Sequence, residues 1–277
     1  MTGTSDSSLP RWRTATVASG GEDIYYEVVE TEAPQTTVLL THGAGGSHAI
    51  WYQQVVALAN MYRVITWDTR GFGNSTFRSG THGAVASASD MSAVLDATGT
   101  ERAHLVGQSM GGWWVTTFAL AHPERVRSLV LTNTVAGLWT DALDAHFRQY
   151  VASAAADANA HPGAHPAIGE GHTAENLAHA FLYQQLNTFH SPPMADVFPA
   201  LVKTRHAHND VRALGIPMLV VTGTEDPIFP ADLIAASAAL LGARCVEIKG
   251  AGHSPYWEQP EAFNAALLAF LAGVEER

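Results

Sequence analysis

Cysteine, positive charge and long apolar runs are all scarce in this sequence. The single cysteine, Cys245, excludes an internal disulfide, and its setting in the apolar run ARCVEIK predicts a buried strand thiol. Fifteen Lys and Arg against 26 Asp and Glu give a net charge of −11, which opposes binding to nucleic acid. No apolar run approaches the roughly 20 residues of a membrane span, and the N-terminus lacks the pattern of a signal peptide. We therefore expect no membrane partner and a cytoplasmic location.

Hydrophobic residues, in contrast, make up 47% of the 277-residue chain, which is enough for a large core. Strand-like runs alternate with runs of helical spacing. The strand-like runs are DIYYEVVE, TTVLLTH, YRVITWD, AHLVGQ, VRSLVLTN, IPMLVVTG and ARCVEIK. The helical runs include WYQQVVALAN, AVASASDMSAVLDATG, MGGWWVTTFALAHP, ADLIAASAALLG and EAFNAALLAFLAG. Because strands that are apolar on both faces are typical of sheets covered by helices, the sequence predicts an α/β fold with a mostly parallel sheet.

The stretch from about Thr134 to Leu214 has a different character. It contains runs of helical spacing, broken by HPGAHPAIGEGH and SPP, and no strand-like run. This pattern predicts a helical cap over residues 134–213, inserted into a core formed by residues 1–133 and 214–277.

A glycine-flanked serine follows one of the predicted strands. Gly107, Ser109 and Gly111 fit the pattern G-x-S-x-G between a strand and a helix, the context that distinguishes this motif from a chance match. The turn is tight, so small residues are needed on both sides of the serine. Ligands bind beyond the carboxyl ends of parallel strands, which predicts a reactive Ser109 at that edge.

A serine hydroxyl becomes a good nucleophile only when a base takes its proton and a third group holds the base. The chain supplies both groups after later strands. Asp226 follows MLVVTG, and His253 lies in the glycine-flanked loop after VEIK. The order serine, acid, histidine is that of the α/β-hydrolase triad.

These residues resemble the α/β-hydrolase family, in its serine hydrolase branch with a helical cap. The segments THGAGGS, WDTRGFGNS and HPERVRSLVLTNT also match the pattern of that family, and the resemblance spans nearly the whole chain outside the predicted cap. It implies an eight-stranded sheet flanked by helices, and it implies no cofactor and no metal.

The resemblance also assigns roles to the three candidate residues. It implies that Ser109 is the nucleophile, His253 the general base and acid, and Asp226 the group that orients His253. Glu225 is the competing acid, but the spacing of the family from Gly223 favours Asp226.

Backbone N–H groups are expected to bind the oxyanion of the tetrahedral intermediate. By the resemblance they belong to Met110 and Ala44, with neighbouring Gly45 as the alternative to Ala44. His42 precedes the nucleophile and is interpreted as a structural residue of the H-G turn.

The predicted cap is rich in histidine and aromatic residues. Its histidines match no zinc spacing and are interpreted as solvated groups on helix faces and loops: His146, His161, His165, His172, His179, His190, His206 and His208. Of its aromatic residues, Trp139 and Phe181 are the predicted substrate contacts.

The leading functional hypothesis is a cofactor-independent serine hydrolase that cleaves a carboxylic ester or lactone through an acyl-enzyme. Its partners would be a small apolar acyl substrate and water, and the sequence leaves a homo-oligomer open. One alternative keeps the triad but cleaves a carbon–carbon bond, as meta-cleavage product hydrolases do. The other, from a different class, is a non-hydrolytic receptor on the same fold.

Overall fold

A computed structural model describes residues 9–32, 35–156 and 165–276, except the side chains of residues 154–156 and 194–195. These residues form one eight-stranded sheet with the order β1-β2-β4-β3-β5-β6-β7-β8. The strands are β1 (Arg11–Ser19), β2 (Glu22–Glu30), β3 (Thr37–Thr41), β4 (Arg63–Trp67), β5 (Ala103–Gln108), β6 (Val126–Thr132), β7 (Met218–Gly223) and β8 (Arg244–Ile248). β2 pairs antiparallel with β1 and β4, and every other pairing is parallel. The predicted α/β fold with a mostly parallel sheet is confirmed.

Eleven α-helices pack around or follow this sheet in the described part of the chain. They are α1 (Tyr52–Leu58), α2 (Ala84–Ala97), α3 (Met110–Ala121), α4 (Asp141–Ala156), α5 (Glu170–Glu175), α6 (Leu177–Leu186), α7 (Met194–Lys203), α8 (His208–Ala213), α9 (Ala231–Leu241), α10 (Pro255–Glu258) and α11 (Pro260–Glu275). None of them is long and apolar enough to cross a membrane.

The sheet has a hydrophobic cluster on each face. Successive side chains of a strand point to opposite faces, and in β3 Leu39 joins one cluster whereas Val38 and Leu40 join the other. Residues of α2, α3 and α9 complete the first cluster, and residues of α1 and α11 complete the second. Every residue of β3 and β5 is buried, as expected for strands covered on both sides.

The chain between β6 and β7 contains the helices α4 to α8, joined by loops, and no strand among its described residues. The run TAENLAHAFLYQQLNTF forms two helices rather than one, because Asn176 leaves the helical conformation at φ −133° and ψ 58°. Part of HPGAHPAIGEGH, including His161, lies outside the described residues. Cys245 lies on β8 and is only partly buried.

Candidate active site

Ser109 occupies a strained turn between β5 and α3. Its backbone has φ 47° and ψ −117°, a left-handed φ that a residue with a Cβ atom rarely adopts. A Cβ atom on Gly107 would lie 2.6 Å from the carbonyl oxygen of Gly111, and one on Gly111 would lie 2.5 Å from that of Thr41. The two glycines of the motif are therefore required by close backbone approach.

Hydrogen bonds hold this turn from three directions. The N–H of Ser109 donates to the carbonyl oxygen of Thr132 at the end of β6, over 3.0 Å. The carbonyl oxygen of Ser109 accepts from the Thr134 hydroxyl at 2.7 Å and from the Gly112 N–H at 2.9 Å. The serine is thus fixed to the neighbouring strand as well as to its own helix.

Asp226 and His253 are brought together after β7 and β8. The Nδ1–H of His253 donates to Oδ2 of Asp226 at 2.8 Å, and both residues are buried. The N–H groups of Ile228 and Phe229 donate to the other carboxylate oxygen at 2.8 and 3.1 Å. Since Nδ1 carries the proton, Nε2 is the nitrogen of a neutral His253 that can accept one.

Asn133 is a residue of this site that the sequence analysis missed. Its amide nitrogen donates to Oδ2 of Asp226 at 2.7 Å and to the carbonyl oxygen of Gly252 at 3.1 Å. It directly follows β6 and has a left-handed φ of 47°, which asparagine tolerates better than most residues. It therefore ties the acid to the loop that carries His253.

Glu258 fixes the same loop from the other side. Its buried carboxylate accepts three backbone hydrogen bonds: from Gly252 at 3.0 Å, from Ser254 at 3.0 Å and from Gly169 at 2.9 Å. Burial raises the pKa of Glu258, although these hydrogen bonds oppose the shift. Gly169 immediately precedes α5, so one carboxylate joins the His253 loop to the helices between β6 and β7.

The competing acid lies elsewhere. Glu225 is exposed, whereas Asp226 is 5% exposed and bonded to His253. Of these two adjacent acids, Asp226 is the one that contacts His253.

A cavity of about 400 Å³ lies above Ser109 and His253, both of which line it. Ala44, Gly45 and Met110 line it as well. Met110 begins α3, and the first N–H groups of a helix have no acceptor within that helix. The oxyanion assignment to Met110 and Ala44 stays a prediction, since the cavity borders Gly45 too.

One wall of the cavity is aromatic. It includes Trp113, Trp139, Phe147, Phe198 and Phe229, whose rings contact one another with centroids 5.3 to 6.3 Å apart. No residue in the described part of the chain offers a hydrogen-bond partner to the buried indole nitrogen of Trp113 or of Trp139.

The two predicted substrate contacts differ in position. Trp139 lines the cavity, but Phe181 is 60% exposed and is absent from the described lining. The buried residues of α6 are Ala180 and Tyr183, and Phe181 lies on the opposite side of that helix. The structure therefore places Phe181 outside the cavity, contrary to the predicted substrate contact.

Another part of the lining contains His165, Tyr183 and Asn187. The Nδ2–H of Asn187 donates to the carbonyl oxygen of Tyr183 at 2.7 Å, and the rings of His165 and Tyr183 meet edge to face at 5.0 Å. Burial, with a smaller contribution from His253, lowers the pKa of His165 to about 4.

The interpretation of the cap histidines as solvated groups is wrong for two of them. His165 lines the cavity, and His172 is buried, with Nε2 at 3.1 Å from Nδ1 of His179. His165 packs on Tyr183 and His172 on His179, and no local spacing reveals these contacts. No group of three or more His, Cys, Asp or Glu that could hold a metal occurs among the described residues.

His42 braces the H-G turn. Its Nδ1–H donates to the carbonyl oxygen of Gly43 at 2.7 Å, and its Nε2 accepts from the N–H of Thr69 at 3.0 Å. The ring is buried, which lowers the pKa of His42, and both nitrogens are occupied. This geometry agrees with a structural role.

Comparison with known proteins gives this arrangement a family. A family model described as the alpha/beta hydrolase fold matches residues 36–260, which is more than half of the chain. The chain belongs to the α/β-hydrolase family. It is 31% identical to a protein of Azorhizobium caulinodans assigned as the carbamate hydrolase RutD, over 94% of this chain and 99% of that protein.

Two further proteins extend the comparison. The 2-hydroxy-6-oxononadienedioate/2-hydroxy-6-oxononatrienedioate hydrolase of Paraburkholderia phymatum is 31% identical over 92% of this chain and 93% of its own length. The thermophilic esterase of Thermogutta terrifontis has a TM-score of 0.78 and 25% identity over 95% of this chain and 99% of the esterase. Like these members of the α/β-hydrolase family, the chain is a hydrolase.

Proposed function

We propose that this α/β-hydrolase is a cofactor-independent serine hydrolase that cleaves a carboxylic ester or lactone through an acyl-enzyme. The observation that carries the proposal is the buried pair of Asp226 and His253, joined over 2.8 Å, beside the cavity that Ser109 also lines. The strained turn at Ser109 supports the same role, because strained backbone is common at nucleophiles.

In the proposed mechanism, Nε2 of His253 takes the proton of Ser109 as its oxygen attacks the ester carbonyl carbon. The N–H groups of Met110 and Ala44 stabilise the oxyanion of the tetrahedral intermediate. His253 then gives its proton to the leaving oxygen, the carbon–oxygen bond breaks, and the acyl group remains on Ser109. Water, deprotonated by His253, attacks this acyl-enzyme, and Ser109 recovers its proton as the acid is released.

The lining of the cavity favours an uncharged, largely apolar substrate. Aromatic and aliphatic side chains form most of it, and no Lys or Arg is among its described residues. Moving a carboxylate from water into such surroundings without a partner is costly. This supports an ester or lactone over the dioate substrate in the name of the Paraburkholderia relative.

We further propose that residues 134–213 act as a cap over the reacting groups. Trp139, Phe147 and His165 belong to this stretch and line the cavity, which supports the proposal. The bond from the Gly169 N–H to Glu258 supports it too, because it joins this stretch to the loop of His253.

A substrate comparison tests the proposed function. Wild-type protein and Ser109→Ala are assayed with butyl butanoate, δ-valerolactone, a vinylogous 1,5-diketone and the anionic ester monobutyl succinate. We expect turnover of butyl butanoate, a loss of about 10³-fold or more in Ser109→Ala, and a rate for the anionic ester that is lower by about tenfold or more.

Each contrary result has a defined meaning. Preference for the diketone would assign carbon–carbon cleavage instead, and preference for the anionic ester would contradict the argument from the lining. Saturable binding of an ester without turnover would assign the receptor function. Unchanged turnover in Ser109→Ala would refute the role of the nucleophile.

A further inference from the structure

His165 lines the cavity, and one of its two ring nitrogens is already occupied. The N–H of Ala167 donates to its Nδ1 at 3.1 Å, so Nδ1 is an acceptor and carries no proton. With a pKa of about 4, the ring is neutral at physiological pH. The proton of the neutral ring is therefore on Nε2, which makes His165 a donor from a side chain that lines the cavity.

Its position relative to His253 indicates which part of a substrate it would meet. The ring of His165 packs on Tyr183, and the Tyr183 hydroxyl lies 2.9 Å from Oγ of Ser254, the residue after His253. His165 and His253 line the same cavity. In the proposed reaction His253 delivers a proton to the leaving oxygen, so the leaving alcohol lies next to His253, in the cavity that His165 also lines.

The charge of the cavity restricts the chemistry of that alcohol. A neutral imidazole donor matches an uncharged oxygen acceptor, such as an ether, hydroxyl or carbonyl oxygen. A carboxylate at the same place would need a cation, and the described lining contains no Lys or Arg.

We propose that the Nε2–H of His165 binds an uncharged oxygen in the alcohol half of the substrate, so that the preferred substrates are esters of oxygen-containing alcohols rather than of simple alkanols. This inference rests on the proposed function and adds the substrate class. His165 is a specificity-determining residue in it and takes no part in the proton transfers.

Two pairs of matched esters test the proposal. In the first pair, butyl butanoate and 2-methoxyethyl butanoate, one methylene of the alcohol half is replaced by an ether oxygen. In the second pair, butyl pentanoate and butyl 3-methoxypropanoate, the same replacement is made in the acyl half. The readout is the ratio of kcat/KM within each pair, measured for the wild type and for variants of His165.

The variants separate the donor from the bulk of the side chain. His165→Leu removes the donor, and His165→Gln keeps an N–H donor of similar reach. His165→Met is a second side chain without a donor, for use if the leucine variant unfolds. The intrinsic reactivity of each ester is the same for all proteins, so it cancels when the ratios are compared.

We expect the first ratio to fall about three- to tenfold in His165→Leu and to stay near the wild-type value in His165→Gln. The second ratio should be unchanged in both variants. A first ratio that is equal in wild type and His165→Leu, or a change in the second ratio instead, would overturn the proposal while esterase activity stands. If the wild type hydrolyses none of the four esters, this inference fails, and the proposed function fails as well if δ-valerolactone is not hydrolysed either.

Discussion

Asn133 and His253 donate hydrogen bonds to the same oxygen of Asp226, over 2.7 and 2.8 Å. The second carboxylate oxygen accepts from two backbone N–H groups, so four donors surround this buried acid. Such a carboxylate has little freedom to rotate, and the imidazole bonded to it is held in one orientation. In the proposed mechanism this orientation aligns Nε2 of His253 with the reacting atoms.

The role of Asn133 is tested with Asn133→Gly. Glycine accepts the left-handed backbone without strain, so the variant removes the side chain without straining the turn. We expect kcat to fall about tenfold or more, because the acid and the histidine loop lose their link. The free energy of unfolding should fall by about 1–3 kcal/mol in denaturant titrations. Asn133→Ala serves as the matched variant and should be less stable by about 1 kcal/mol more, since its Cβ adds strain. Wild-type kcat in Asn133→Gly would contradict the positioning role.

The variant Glu258→Gln tests a second contact of the loop that carries His253. In Glu258→Gln the amide group replaces one carboxylate oxygen, so at least one of the three backbone donors from Gly169, Gly252 and Ser254 loses its acceptor. We expect the free energy of unfolding to fall by about 1–3 kcal/mol. We also expect kcat to fall more than KM changes, because the loop carries His253. Thermal unfolding and steady-state kinetics measure the two effects. A stable variant with unchanged kcat would show that the loop holds its shape without Glu258.

The variants Trp139→Ala and Phe181→Ala test which of the two aromatic side chains contacts the substrate. Trp139→Ala removes part of the aromatic wall, and we expect kcat/KM for apolar esters to fall about tenfold. Phe181→Ala changes a side chain that is 60% exposed, so kcat/KM should stay within about twofold of the wild-type value. Equal losses in the two variants would contradict the placement of these residues.

Glu22 predicts a dependence of stability on pH. Burial alone would raise the pKa of its carboxyl, but hydrogen bonds from Thr76, Ser79 and Arg78 outweigh it and lower the pKa from 4.5 to about 2. The folded state therefore favours the ionised carboxylate. Its stabilising contribution is complete above pH 4.5 and is lost as the pH falls through about 2.

Glu22→Gln should consequently be less stable than wild type at pH 7, with a difference that shrinks between pH 4.5 and about 2. Denaturant titrations of both proteins across this range measure it. Stability curves that remain parallel through this pH range would contradict the prediction.

The sequence predicts the parts of this fold that depend on local pattern. The buried parallel strands are read from continuous apolar runs, and the turn at Ser109 from its two glycines. The strand β1 is not predicted from the residue pattern, because most of its residues are exposed and it lacks an apolar run. Asp226 is distinguished from Glu225 only by the resemblance to the family, since two adjacent acids have the same local signal.

Local sequence patterns do not predict residues whose role depends on contacts with distant parts of the chain. Asn133 bonds to an acid 93 positions away, and its role depends on a left-handed backbone at the end of β6. His165 packs on Tyr183 and lines the cavity, which no spacing in the cap predicts. Phe181 is apolar yet exposed, because the buried side of α6 is defined by Ala180 and Tyr183.

The proposed mechanism requires Ser109 to be an activated nucleophile. The most direct test is labelling of the wild-type protein with a fluorophosphonate probe, followed by mass spectrometry of the modified peptide, with Ser109→Ala and Asp226→Asn as comparison proteins. We expect one modification, at Ser109, that is absent in Ser109→Ala and much slower in Asp226→Asn. No modification of Ser109 in the folded wild-type protein, or labelling at the same rate in Asp226→Asn, would contradict it.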